Sequence, residues 1–139
     1  MKVIILNGSP KANGNTATAL REVELSLQQQ GIETEWQHVG HLSIHGCIAC
    51  NNCWDTGVCA FNDIVNEISK KMLTADGLLL GSPVYFASPN GTLISLLDRL
   101  FYSNLHTDWT MKVGATVSIA RRGGATTTMD VLNKYFLKT

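Results

Sequence analysis

Two short runs without a polar residue, Val3-Ile4-Ile5-Leu6 and Leu78-Leu79-Leu80, constrain this chain more than any other feature. A strand with one wet face alternates apolar and polar side chains. A strand without alternation is covered on both faces, as in a parallel sheet flanked by helices. Each run stops at a turn cluster, Asn7-Gly8-Ser9-Pro10 and Gly81-Ser82-Pro83. A helical period follows each: Thr16, Leu20, Val23 and Leu27 from Asn15 to a closing Gly31, and Leu93, Leu97 and Leu100 to an end near Tyr102.

The rest completes the alternation. Glu33 to His38 reads as an edge strand, and Gly40 to Ala60 as an irregular segment holding all four cysteines. Asp63 starts a helix with Ile64, Ile68 and Met72 on one face. Val113 to Ala120 is β-like, rich in Val, Thr and Ile, and Met129, Leu132 and Phe136 mark a last helix. The order β-α-β-loop-α-β-α-β-α predicts an α/β fold, a three-layer doubly wound parallel sheet. One domain over residues 1–139, with a Cys-rich loop at 46–60, fits the length.

Charge excludes other classes. With 11 basic and 11 acidic side chains the chain is formally neutral, which supplies no excess positive charge for nucleic acid. A hydrophobic fraction of 45% with 16% charged residues supports a core and excludes disorder. No apolar stretch approaches the roughly 20 residues of a membrane helix, and the run after Met1 is too short for a secretory signal. The expected location is cytoplasmic, with no membrane partner.

Open α/β sheets bind ligands at strand carboxyl ends, which places the chemistry in the loops there. Gly8-Ser9-Pro10-Lys11-Ala12-Asn13-Gly14-Asn15-Thr16 brings hydroxyls, amides and a flexible glycine to a helix N-terminus, where backbone N–H groups and the helix dipole favour phosphate. Neither the Gly-x-Gly-x-x-Gly nor the Gly-Lys-Ser/Thr spacing is present. The plainer reading is a polar loop with Asn15 or Thr16 as N-cap. Ser82-Pro83-Val84-Tyr85-Phe86 offers an apolar, aromatic wall suited to a flat conjugated ring, although Tyr85 and Phe86 also suit a core. Arg121-Arg122-Gly123-Gly124 adds positive charge after the last strand.

With these stretches in this order, and with Gly46-Cys47 to Cys59 and Leu97-Asp98-Arg99, the chain resembles the flavodoxin-like NAD(P)H-dependent FMN reductase family and, within it, the iron-sulfur flavoprotein branch. The resemblance implies FMN, with its phosphate on Ser9, Lys11, Asn13, Gly14, Asn15 and Thr16. It implies Pro83, Val84, Tyr85 and Phe86 against the isoalloxazine ring, and Arg121 and Gly123 on its pyrimidine side. A flavodoxin-like sheet has five strands in the order 2-1-3-4-5. Four are found before Leu137-Lys138-Thr139, so the fold is expected to lack the last strand and helix. Val113 to Ala120 is then an apolar edge for a second subunit to cover, or the domain is a shortened one.

Cys47-x2-Cys50-x2-Cys53-x5-Cys59 does not form the two separated knuckles usual for zinc. Ala60 follows where ferredoxins carry proline, and no second set exists. All four thiolates would have to hold one [4Fe-4S] cluster, as the compact motif of iron-sulfur flavoproteins implies. Free thiols, a redox disulfide and zinc remain alternatives. His38, His41 and His45 read as solvated, Asp98 and Arg99 as structural or interface charges, and Trp54 and Trp109 as packing. The expected function is an FMN-binding oxidoreductase, with NAD(P)H as reductant and a small-molecule or protein acceptor, working as a homo-oligomer without a catalytic acid, base or nucleophile. The alternatives are an electron carrier without its own substrate and a non-enzymatic thiol or metal sensor.

Overall fold

A computed structural model describes residues 1–137; Lys138 and Thr139, within the carboxyl-terminal stretch noted above, lie outside the described residues. The elements run β1 (Lys2–Asn7), α1 (Asn15–Gln29), β2 (Glu33–His38), α2 (Asn52–Thr56), α3 (Ile64–Met72), β3 (Gly77–Pro83), α4 (Gly91–Ser103), β4 (Val113–Ile119) and α5 (Ala125–Phe136). The four strands form one parallel sheet in the order β2-β1-β3-β4. The chain leaves β1 outward to β2 and then returns to the other side as β3. The carboxyl ends of β1 and β3 therefore flank the point where the winding reverses, the place open α/β sheets keep for ligands.

The period-two geometry of a strand divides the core. Ile4, Leu6, Leu78 and Leu80 face a cluster with Val65, Ile68 and Met72 of α3, Leu93, Leu96, Leu97 and Leu100 of α4, and Leu132 of α5. Ile5 and Leu79 point the other way, onto Leu20 of α1, with Val3, Val23, Trp36 and Val117 partly buried around them. β2 and β4 are the sheet edges, and Val113 at the start of β4 is 60% exposed. No helix among the described residues is long and apolar enough to cross a membrane.

Three details differ from the sequence reading. The Cys-rich segment contains the short helix α2. Met129 is exposed, and the buried face of α5 is formed instead by Thr128 and Leu132. Trp109 is core, packed edge-on to Phe101, whereas Trp54 is 55% exposed. Arg99, read as a structural or interface charge, is structural: it is 1% exposed among the apolar rows of α4 and paired with Asp63.

Candidate functional site

The loops after β1, β3 and β4 enclose one cleft of about 380 Å3. Ser9, Pro10, Lys11, Gly14, Asn15 and Thr16 line it from the first loop, Pro83, Val84 and Tyr85 from the second, and Ile119, Ala120 and Arg121 from the third. Three of the residues singled out from sequence stand outside its wall. Asn13 turns its Oδ1 to accept from Arg21 at 2.8 Å. Phe86 is fully exposed, and a side chain at Gly123 would meet open space. Pro10, Ile119 and Ala120 are wall residues that the motifs did not mark.

The first loop meets α1 without a side-chain cap. Gly14 is the N-cap, so neither Asn15 nor Thr16 fills that role. By contrast, Asp63 accepts from the Val65 N–H to cap α3, and Asn90 accepts from the Thr92 N–H to cap α4. The opening N–H groups of α1 are therefore left for solvent or a ligand, at the positive end of the helix dipole. Thr16 is 2% exposed, lines the cleft, and makes no hydrogen bond through its hydroxyl to any described residue. Its oxygen opens to the cleft, where water or a ligand can take the hydrogen bond. His38, read as solvated, is half-buried, with Nε2 2.8 Å from the Ser9 carbonyl oxygen behind the loop.

Asn90 braces the ends of β1, β2 and β3. Its Nδ2 donates to the Gly8 carbonyl at 2.6 Å and to the Gly40 carbonyl at 3.2 Å, while its own N–H donates to Ser82 Oγ at 2.9 Å. Gly8 also donates its N–H to the Gly81 carbonyl at 2.7 Å. These backbones touch: a Cβ on Gly40 would fall 2.2 Å from the Gly8 oxygen, so only glycine fits. The second loop turns back at once, Tyr85 and Ser88 exchanging N–H···O bonds of 2.9 and 3.0 Å. The two residues between them, Phe86 and Ala87, have φ of 50° and 60°. Positive φ at both central positions is the type I′ geometry, which is rare for an aromatic residue. It carries Phe86 away from the wall and leaves Tyr85 on it.

The cleft suits a phosphorylated ligand with a flat ring. Uncapped N–H groups, a free hydroxyl and Lys11 lie at one end, and Val84, Ile119 and Tyr85 offer an apolar and aromatic surface beside them.

The four cysteines line a second, small cavity of about 20 Å3 with Phe61, Arg99 and Tyr102. All four are free thiols, so no disulfide joins them. Burial pushes the Cys53 thiol up, and the charges of Cys59, Cys47 and Cys50 add repulsion against its backbone hydrogen bond. Among the described residues no three His, Cys, Asp or Glu side chains converge as one metal ion would need. A mononuclear zinc would take sulfurs about 2.3 Å from a single point. A cluster takes each thiolate on a separate iron, so four thiols on one cavity wall fit it as a donor set.

The fold and cleft define a flavodoxin-like α/β protein with its ligand site across the carboxyl ends of β1, β3 and β4. A family profile described as NADPH-dependent FMN reductase matches residues 1–138, and the chain belongs to that family. It is 40% identical to an iron-sulfur flavoprotein of Methanocaldococcus jannaschii, over 99% of this chain and 72% of the relative. It is 28% identical to an iron-sulfur flavoprotein of Methanosarcina thermophila, over 97% of this chain and 72% of the relative. Among solved structures, RosB with a bound riboflavin-phosphate intermediate superposes with a TM-score of 0.77 at 18% identity, which shows the fold alone. There the chain matches over 99% of its own length and spans 59% of RosB.

Proposed function

We propose that the chain binds FMN in this cleft and works as an oxidoreductase that takes electrons from NAD(P)H and hands them to a small-molecule or protein acceptor. The observation that carries this reading is the uncapped N-terminus of α1 with the unpartnered Thr16 hydroxyl beside it. The phosphate would rest on the N–H groups of the first turn, on Ser9, Asn15 and Thr16, and near Lys11. Pro83, Val84, Tyr85 and Ile119 would hold the ring and shield one side of it from water, with Arg121 at its rim. When bound, FMN supplies the chemistry, accepting a hydride and releasing electrons singly or in pairs. The residues of the chain bind and orient, and none is needed as acid or base.

Cys47, Cys50, Cys53 and Cys59 would hold a [4Fe-4S] cluster that relays single electrons. The donor set supports this, as does the likeness to relatives named iron-sulfur flavoproteins. The exposure of Val113 supports a homo-oligomer in which a second copy covers the open β4 edge.

The test is FMN titration by quenching of flavin fluorescence. Thr16→Val keeps shape and removes the hydroxyl. It should weaken binding by about tenfold or more, since a hydrogen bond to a charged group contributes about 1.5–3 kcal/mol. Unchanged affinity, or no binding by the parent protein, overturns the site. Anaerobic mixing of the FMN-loaded protein with NADPH then separates an oxidoreductase, whose flavin bleaches, from a carrier, whose flavin does not.

A further inference from the structure

Arg99 is a charged side chain at 1% exposure that the cleft does not use. Every one of its five N–H groups has an acceptor. The Nη1 group donates to Asp63 Oδ2 at 2.7 Å and to the His45 carbonyl at 3.3 Å. The Nη2 group donates to Asp63 Oδ1 at 2.8 Å and to the Phe61 carbonyl at 3.2 Å. Nε donates to Cys59 Sγ at 3.2 Å, and the guanidinium lies 4.8 Å from the centre of the Phe61 ring. Only the planar fork of arginine can satisfy this set.

The acceptors share a location. His45, Cys59 and Phe61 belong to the segment that carries the thiols, and Asp63 is its first anchored residue, capping α3. Cys59 is also held by its backbone: its N–H donates to Asn66 Oδ1 and its carbonyl accepts from Asn66 Nδ2, both at 3.0 Å. Among the described residues, no side chain donates to the sulfurs of Cys47, Cys50 or Cys53. Burying a guanidinium costs several kcal/mol, and an apolar side chain would pack the same space at no such cost. The charge is thus spent on the thiol loop.

We propose that Arg99 is the positioning residue of the thiol loop: through Nε–H it fixes the Cys59 sulfur as the stationary member of the four, and with Asp63 it sets the reduction potential of the cluster they hold. The second half rests on the cluster reading above; the first does not. A charge-assisted N–H···S bond favours anionic sulfur and fixes where it points. Hydrogen bonds and charge at the sulfurs tune cluster potentials. Reduction adds negative charge, so the guanidinium favours the reduced form and raises the potential, whereas the carboxylate of Asp63 opposes it.

Hydrogen exchange on the metal-free protein tests the positioning. In Arg99→Gln and Arg99→Lys, amides of residues 45–61 should exchange at least tenfold faster while residues 8–20 keep their protection. Unchanged exchange in the loop overturns the proposal. Arg99→Lys carries the test if Arg99→Gln does not fold by circular dichroism. The potential is read by spectroelectrochemical titration after anaerobic loading with ferrous iron and sulfide. Arg99→Gln should shift the midpoint negative. Asp63→Asn, which retains a good cap, should shift it positive. Shifts of one sign in both variants mean simple loosening and overturn the potential-setting half. If the parent protein takes up no iron and sulfide, the cluster reading falls and takes that half with it, while the exchange result still decides the positioning.

Discussion

The cleft and the thiol loop are built in opposite ways. The cleft is made by backbone: Gly8 bonds Gly81, Val84 bonds Ile119, and Tyr85 bonds Ser88, so its walls continue the strands of the sheet. Among the described residues the thiol loop, 45–61, has only local backbone bonds, such as Trp54 to Asn51 and Gly57 to Cys53. Side chains tie it to the rest of the molecule: Arg99, Asn66, and Tyr102, whose hydroxyl donates to Asn51 Oδ1 at 2.9 Å. A site made by strand ends spreads its support over many weak bonds. A loop held by one buried ion pair concentrates it. Single substitutions should leave the backbone order of the first region in place and disorder the second.

The sharpest way to break that comparison is Asp63→Ala. It leaves the Arg99 guanidinium buried without its counter-ion, which costs about 3–5 kcal/mol, and it removes the α3 cap. Urea unfolding should show a large fall in midpoint, and the loop should lose its order first. If FMN affinity falls as far as loop protection does, the two regions are one cooperative unit and the contrast fails. Asn90→Ala is the matching cut on the other side. It removes a cap and leaves the Gly8 and Gly40 carbonyls unpaired, for a loss of about 2 kcal/mol. Weaker FMN binding with unchanged exchange at residues 45–61 would sharpen the distinction.

The same contrast explains what could be read from sequence. Strand ends are local: an apolar run that stops at Gly-Ser-Pro announces both the strand and the loop beyond it, and Thr16 follows from its place at the helix start. Phe86 was legible as an aromatic residue in that loop, but not its direction, because that depends on positive φ at two consecutive positions. Arg99 was illegible because its partners lie 36 to 54 residues away. Beside Asp98 it reads only as a structural or interface charge, and adjacent residues on a helix face different ways. Asp98 turns out to accept from the Tyr135 hydroxyl at 2.6 Å, and Arg99 turns in. Phase was the available signal, since Arg99 is three residues after Leu96 and four before Ser103, both buried. Asn90 was marked by no motif, and its reach to Gly8 and Gly40 spans residues far apart in the chain.

The smallest effect supplies the control. At the amino-terminal end of the sheet, away from both regions, Glu35 accepts from Lys2 Nζ at 2.7 Å and from Lys71 Nζ at 2.8 Å. Those hydrogen bonds, Lys2 first, pull its carboxyl from 4.5 down to about 2. A depressed carboxylate stabilises the fold above its unfolded range, and that contribution is lost as pH falls from about 4.5 to about 2. Solvent reaches the pair, so screening limits its contribution to about 1 kcal/mol at most. Glu35→Gln should therefore lower the urea midpoint slightly at neutral pH, and the gap to the parent protein should close through that acid window. Because the ion pair joins β1, β2 and α3 rather than either site, its loss should loosen the cleft and the thiol loop alike. Hydrogen exchange that rose in only one of them would mean that the strands do not couple the two regions, and that the cleft owes its order to its own loops rather than to the sheet behind it.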